Sequence, residues 1–161
     1  MTTIVANLEG MAADTRVTGV GSFYPAQKIF RIGGSLVGTS GHGDACLVFV
    51  EWFKKQRRKP HELHAMLGGD INIEMRDEIR ILELNKDGIF HWTGWGFGEK
   101  VLLPAYAVGS GGMPALEALR CGKSLEDAVR QAGGHDEYTG CGIQVEMLNE
   151  TTPKRKRRGR Q

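Results

Sequence analysis

The chain has 161 residues, 40% hydrophobic and 25% charged, a balance that excludes a wholly disordered or fibrous protein. Its 23 glycines are about twice the usual ~7% share. They follow no G-X-Y period, so they belong in turns and close backbone approaches. The net charge of +2 conceals a split, because Lys154–Arg160 holds 6 of the 21 Lys and Arg and leaves a body with 15 basic and 19 acidic residues. A basic pI is therefore no argument that the body binds nucleic acid.

In chain order, Thr3–Ala6 and Met11–Ala13 read as strands joined by a tight turn at Glu9-Gly10. Lys28–Ile32 and Ser35–Thr39 form a second pair around Gly33-Gly34. Asp44 is placed to cap a helix over Ala45–Lys59 that Pro60 ends, with an apolar first half that reads as buried. Strand texture returns in Ile71–Glu74, Arg80–Leu84 and Ile89–Trp92, the last two joined by a turn at Asn85–Gly88. Ala105–Gly109 is a short buried strand. Pro114 sits at the start of a helix running to Arg120 and closed by Gly122. Ser124 and Asp127 resemble a capping box opening a helix to Ala132. Ile143–Leu148 is a last strand with alternating faces, and residues 149–161 read as a disordered basic tail. Strands and helices segregated in this way indicate an antiparallel α+β sandwich rather than an alternating βαβ fold.

Several features carry little chemistry. Cys46, Cys121 and Cys141 are an odd number at wide spacings, which suits reduced thiols better than a disulfide framework or a metal site. His61-Glu62-Leu63-His64 spaces its histidines at i and i+3, one short of a zinc-protease helix, and reads as a solvated turn. Gly94–Gly98 has no strand-to-helix context and reads as a glycine-aromatic loop rather than a phosphate cradle. His42, His91 and His135 are isolated, with core or surface positions as the default. The N-terminus lacks the basic and apolar regions of a secretory signal, and the longest apolar run, Ala45–Val50, is far too short to span a bilayer. The expectation is a cytoplasmic protein with no membrane segment. The tail reads either as a contact for nucleic acid or another acidic partner, or as a solvated end. The absence of interleaved aromatics favours the solvated end.

The start of the chain carries sharper chemistry. Thr2 is small enough that removal of Met1 is expected, leaving a residue with an α-amine beside a hydroxyl. An α-amine titrates near ~7.7–8.0, so a useful fraction is neutral at cellular pH and can take the hydroxyl proton as the oxygen attacks a carbonyl. One residue then supplies both nucleophile and base.

Thr2-Thr3-Ile4-Val5-Ala6 is followed in order by Ala12-Ala13-Asp14-Thr15-Arg16-Val17-Thr18, Lys28, Gly38-Thr39-Ser40-Gly41, Gly109-Ser110-Gly111-Gly112 and Asp136-Glu137-Tyr138-Thr139-Gly140. The series closely resembles the proteasome β subunits and HslV, the threonine-dependent N-terminal nucleophile hydrolases, from Thr2 to about Leu148. The resemblance implies a four-layer αββα sandwich of two antiparallel sheets over residues 2–148, followed by the tail. It implies Thr2 as nucleophile and Lys28 as a positive charge lowering the pKa of the amine. Asp14 would be the partner that orients Lys28. The Gly41 N–H would be the oxyanion donor, and Ser110, Asp136 and Thr139 a polar cluster around the amine. Thr18 would bond extended substrate backbone, and positions near Val17, Thr39 and Ala45 would shape the pocket beside the scissile bond. Small side chains there suggest an undemanding pocket.

A threonine endopeptidase acting on peptides or unfolded protein in a homo-oligomeric chamber, with no cofactor or metal and with an ATP-dependent unfoldase as partner, is the implied activity. Two departures stand out. The first hairpin is about four residues shorter than usual, and Pro60–Gly69 leaves barely two turns for what is a second long helix in the family. The outer helical layer is thus expected to be shortened, which bears on whether and how a ring forms. A small-amide amidohydrolase using the same residues, and an inactive ring or scaffold protein with a nucleic-acid-binding tail, are the alternatives. Against the scaffold, five separate stretches keep the residue types that the chemistry requires.

Overall fold

The computed structural model describes residues 2–19, 21–55, 58–68 and 73–150; the basic tail beyond 150 lies outside them. Two antiparallel sheets form the centre. The first has strand order β10-β1-β2-β11, from β1 (Ile4–Asn7), β2 (Gly10–Asp14), β10 (Ala105–Val108) and β11 (Ile143–Met147). The second runs β5-β6-β7-β8-β9, from β5 (Ile29–Ile32), β6 (Ser35–Ser40), β7 (Arg80–Asn85), β8 (Gly88–Thr93) and β9 (Gly98–Val101). Helices α1 (Gly43–Phe53), α2 (Pro60–Leu67), α3 (Ile73–Glu78), α4 (Gly112–Arg120) and α5 (Leu125–Gly133) complete the chain order. A separate hairpin pairs β3 (Arg16–Gly19) with β4 (Ser22–Pro25). The expected α+β sandwich is present.

Strand alternation makes the layers. Ile4, Ala6, Met11 and Ala13 of the first sheet meet Ile29, Leu36, Leu82, Leu84 and Ile89 of the second, forming the inter-sheet core. The opposite residues, Val5 and Ala12, face Ala115, Ala118, Ala128, Val129 and Ala132 of α4 and α5. Val37 and Ile81 face Phe49, Trp52, Phe53 and Leu63 of α1 and α2. Phe49, Trp52 and Phe53 group around Trp92 with ring centroids 5.2–6.4 Å apart, aromatic pairs worth about 0.5–1.5 kcal/mol each beyond their area.

Local chemistry explains the element ends. Asn7 Oδ1 accepts from the N–H groups of Glu9 and Gly10 and closes the first hairpin. Ser124 Oγ accepts from the Asp127 N–H at 3.1 Å, so the expected cap is present. Helix α1 is shorter than the predicted Ala45–Lys59: it ends at Phe53, and His42 rather than Asp44 occupies the N-cap. Pro60 does not merely end a helix but opens α2, at the first-turn position where its missing N–H costs nothing.

Three further expectations are corrected. His61–His64 lies in the two-turn helix α2 rather than a solvated turn, because Leu63 is fully buried under the aromatic cluster and anchors it. The described part of the predicted strand Ile71–Glu74 is helical. Ile73–Glu78 is rich in helix formers and buries no residue, so β propensity at one isoleucine has no sheet face to fill. Gly98 belongs to β9, where its missing Cβ makes room for the Trp92 indole, which a side chain would meet at 2.5 Å. Hairpin β3–β4 and strand β9 carry no sequence alternation and were not anticipated.

Candidate active site

Three polar residues come together where the two sheets open. Thr2 precedes β1, Asp14 ends β2, and Lys28 stands one residue before β5. Lys28 Nζ donates to Thr2 Oγ1 at 3.0 Å and to Asp14 Oδ1 at 2.9 Å. Thr2 is 6% exposed, Lys28 4% and Asp14 0%, so these contacts are shielded from solvent, unlike a surface ion pair.

Asp14 is held on all sides. Oδ1 also accepts from the Thr3 N–H at 2.8 Å, and Oδ2 accepts from the N–H groups of Arg16 at 3.1 Å and Gly140 at 3.2 Å. A carboxylate with four donors is fixed and does not rotate. Burial pushes the Lys28 ammonium below the ordinary lysine pKa, and the Asp14 carboxylate opposes that shift by charge and hydrogen bonding.

Beside this triplet, Ser110 Oγ and Thr139 Oγ1 donate to Asp136 Oδ2 at 2.6 and 2.7 Å. Thr3 Oγ1 lies 2.5 Å from Thr139 Oγ1. Since Thr139 gives its single hydrogen to Asp136, Thr3 is the donor in that contact. Burial works to raise the Asp136 pKa, but hydrogen bonds from Ser110, Thr139 and the Tyr138 N–H outweigh it and hold the group below the usual carboxylate value. Asp136 also closes an Asx turn with Tyr138 N–H.

Glycines let these pieces approach. Gly109 has φ +91°, and a Cβ there would lie 1.8 Å from the Thr2 carbonyl oxygen. A Cβ on Gly111 would lie 1.9 Å from Thr3 Oγ1. These positions tolerate no side chain without displacing the start of the chain.

A cleft of about 460 Å³ opens onto Thr2 and Lys28. Its lining includes Thr18, Thr39 and Gly41, as expected, with Val17 from β3. Gly41 has φ +123°, a region that favours glycine. Ala45 does not reach the cleft; it points into the aromatic core, and its neighbours Asp44, Cys46 and Leu47 line the wall instead. Tyr24 and Phe30 also line it, so the cleft is less bare than small side chains near Val17, Thr39 and Ala45 suggested. Burial pushes the Cys46 thiol up to about 12 despite Thr39 and Lys28, leaving it a neutral part of the wall.

The structure thus brings Lys28 into direct contact with both Thr2 and Asp14, sets Ser110, Asp136 and Thr139 in one connected cluster, and places Thr18, Thr39 and Gly41 around the cleft. Sequence reasoning missed Thr3, whose N–H reaches Asp14 and whose hydroxyl reaches Thr139, linking the two groups, and whose only signal was its place next to Thr2. Among the described residues no three His, Cys, Asp or Glu side chains are grouped to hold a metal ion, and no helix is long and apolar enough to cross a membrane.

No protein-family model matches the chain, and no curated protein sequence matches it. Solved structures do. BPH from Thiobacillus denitrificans superposes with a TM-score of 0.70 at 23% identity, covering 93% of this chain and 99% of that one. The same protein in complex with epoxomicin gives 0.67 at 22%, covering 92% and 99%. Eukaryotic HslV from Trypanosoma brucei gives 0.66 at 21%, covering 90% and 98%. The chain has the HslV and proteasome-β-like fold, that of the N-terminal nucleophile hydrolases.

Proposed function

We propose that this chain is a threonine-type endopeptidase of the HslV and proteasome-β class, acting on peptides or unfolded protein within a homo-oligomeric chamber in the cytoplasm. The observation that carries the reading is the shielded contact of Thr2 Oγ1 with a lysine ammonium that is itself held by Asp14, at the wall of a cleft. The epoxomicin complex of a protein with this fold supports it.

With Met1 removed, the neutral α-amine of Thr2 takes the hydroxyl proton while Oγ1 attacks a peptide carbonyl carbon. The developing oxyanion takes a hydrogen bond from the Gly41 N–H. Collapse of the tetrahedral species breaks the C–N bond, and the departing amine takes the proton from the α-ammonium. The product is an ester between Thr2 Oγ1 and the acyl group. Water then attacks the ester, giving its proton to the same amine, and the carboxylic acid leaves as Thr2 recovers its hydroxyl. Lys28 stays protonated throughout; its positive charge favours the neutral amine and the deprotonating oxygen. Asp136, Ser110 and Thr139 orient the amine in this scheme. Thr18 and Thr39 flank the extended substrate.

Intact-mass measurement should show Met1 missing, and incubation with epoxomicin should add one inhibitor per chain, located on Thr2. Thr2→Ala should take no label and cut no fluorogenic peptide. Peptide cleavage that survives in Thr2→Ala, or an unlabelled Thr2 in a chain lacking Met1, overturns the reading.

A further inference from the structure

Lys28 and its two partners belong to different sheets, so the distance between sheets decides whether the triplet forms. Strand β5 is an edge of the five-stranded sheet and β11 an edge of the four-stranded one. The outward-facing N–H and C=O groups of an edge strand need partners when they are not solvated. On the open side of β5 no strand of the described residues supplies them; side chains do. Gln144, on β11 opposite Ala13 of β2, accepts from the N–H of Lys28 at 3.1 Å and of Ile29 at 3.0 Å through Oε1, and donates through Nε2 to the Ile29 carbonyl at 2.8 Å. Its amide does what a peptide group of a sixth strand would do. The Ile29 carbonyl has a second donor, Gln27 Nε2, also at 2.8 Å, so the part of Gln144 with no substitute beside it is its acceptor oxygen.

Farther along the same seam Arg31 donates to the carbonyls of Met147 and Leu148. The two edges are therefore stitched at both ends by side chains, with the Gln144 stitch falling on the backbone of Lys28 itself. Gln144 also lies one residue past Ile143, which stands opposite Asp14 in the β2–β11 ladder. The stitch thus references the Lys28 backbone to the strand beside Asp14.

We infer that Gln144 is a positioning residue for Lys28, its side-chain oxygen fixing the lysine backbone against the opposite sheet so that the ammonium reaches Thr2 and Asp14 together. The inference rests on the peptidase reading for its kinetic consequence, but its structural content does not.

Three variants of the full chain test it: Gln144→Leu, which keeps the size and removes the acceptor; Gln144→Glu, which keeps the acceptor; and Arg31→Ala, which loosens the seam away from the lysine. Two readouts need no catalysis: hydrogen exchange at the Lys28 and Ile29 amides, and NMR titration of the Lys28 ε-methylene. The third is the pH profile of epoxomicin labelling. In Gln144→Leu both amides should exchange at least tenfold faster, the Lys28 titration should move, and labelling should slow about tenfold with a displaced pH profile. Gln144→Glu keeps the acceptor for both N–H groups while losing the Nε2 donor and adding a charge, so it should keep the Lys28 and Ile29 amides slow to exchange. Arg31→Ala should lower thermal stability and leave the lysine titration and the profile in place. A Gln144→Leu protein with parental exchange and titration overturns the inference. So does a Gln144→Glu protein whose Lys28 and Ile29 amides exchange at least tenfold faster than in the parent, even where Gln144→Leu does not fold, and so does an Arg31→Ala protein that shifts the lysine. If the parent itself takes no epoxomicin, the peptidase reading fails, while exchange and titration still decide the role of Gln144.

Discussion

The Lys28 ammonium and the Asp14 carboxylate meet at 2.9 Å although they hang from different sheets. Each is buried, yet their surroundings are unequal. Asp14 receives three backbone N–H groups besides the lysine, whereas the side-chain contacts of Lys28 are Asp14 and the Thr2 hydroxyl. On the proposed reading the carboxylate is therefore the structural half of the pair and the ammonium the functional half. That asymmetry separates the effects of two substitutions.

Lys28→Met removes a desolvated cation and leaves Asp14 with its three N–H donors. Folding should change by less than about 2 kcal/mol, since losing one of four charge-assisted hydrogen bonds is offset by no longer burying an ammonium. Activity should fall by about 10²–10³, the range for losing one electrostatic contact to the reacting groups. Asp14→Asn should do the reverse damage first. Both carboxylate oxygens face donors, so an amide must turn its NH₂ against N–H groups, at a cost of about 3–5 kcal/mol. Thermal melts alongside peptide hydrolysis check both; an Asp14→Asn protein as stable as Lys28→Met would contradict the assignment.

Gly111→Ala tests how the chain start is seated. The added Cβ would fall 1.9 Å from Thr3 Oγ1 and 2.8 Å from Thr139 Oγ1, so it must break the hydroxyl contact between them. The expected outcome is a loss of about 2–4 kcal/mol, as for other sites where a buried network is broken, with slower epoxomicin labelling of whatever remains folded. Gly122→Ala is the control. Gly122 has positive φ (+81°), unlike Gly111 (φ −87°), and nothing lies within 4 Å of its Cβ position, so only the backbone cost of about 1 kcal/mol should appear.

Glu83 is a buried carboxylate far from that chemistry, on the helix-facing side of β7. Ser35 Oγ and Asn85 Nδ2 donate to its Oε1 at 2.7 and 2.8 Å, and Trp92 Nε1 to its Oε2 at 2.9 Å. It therefore fixes the tryptophan around which Phe49, Trp52 and Phe53 assemble. Glu83→Ala should cost about 3–4 kcal/mol, part cavity and part unpaired donors. Glu83→Gln should cost less, because its carbonyl still accepts. Denaturant melts followed by tryptophan fluorescence would report both, and equal losses would show that the hydrogen bonds do not matter.

How much of this was legible beforehand follows from where the physics is local. Thr2 stood out for the pairing of an α-amine with a hydroxyl once Met1 is removed, Asp14 and Lys28 only through the resemblance to the proteasome β subunits and HslV, and strands such as Arg80–Leu84 through their local texture. Hairpin β3–β4 did not, since Arg16–Gly19 and Ser22–Pro25 are largely exposed and show no apolar alternation. Helix α3 was misread because Ile71 and Ile73 suggest a strand, while the decision rested on whether any sheet edge could accept it. Gln144 gave no signal at all: a glutamine in an alternating strand looks like a solvent-facing residue, and its role exists only once two sheet edges face each other.

His91 makes the acid side of the stability curve testable. It stands opposite Leu82 on β7 and Glu99 on β9, its ring tilted against Tyr106 at 5.9 Å. Its Nε2 is buried with no hydrogen-bond partner among the described residues. Burial lowers its pKa, the Arg80 cation adds to that, and Glu99 opposes it. In the unfolded chain the ring titrates near ~6.5. Below that pH the unfolded state binds a proton that the folded state still refuses, so stability declines as pH falls from about 6.5 toward the lowered folded value, and is fully present above it. His91→Phe removes that proton-linked loss and the unpaired nitrogen, while keeping an aromatic face for Tyr106. It should therefore raise the melting temperature more at pH 5 than at pH 8. A stability gain that is the same at both pH values would mean that His91 titrates alike in the folded and unfolded chain, and that its burial carries no proton linkage.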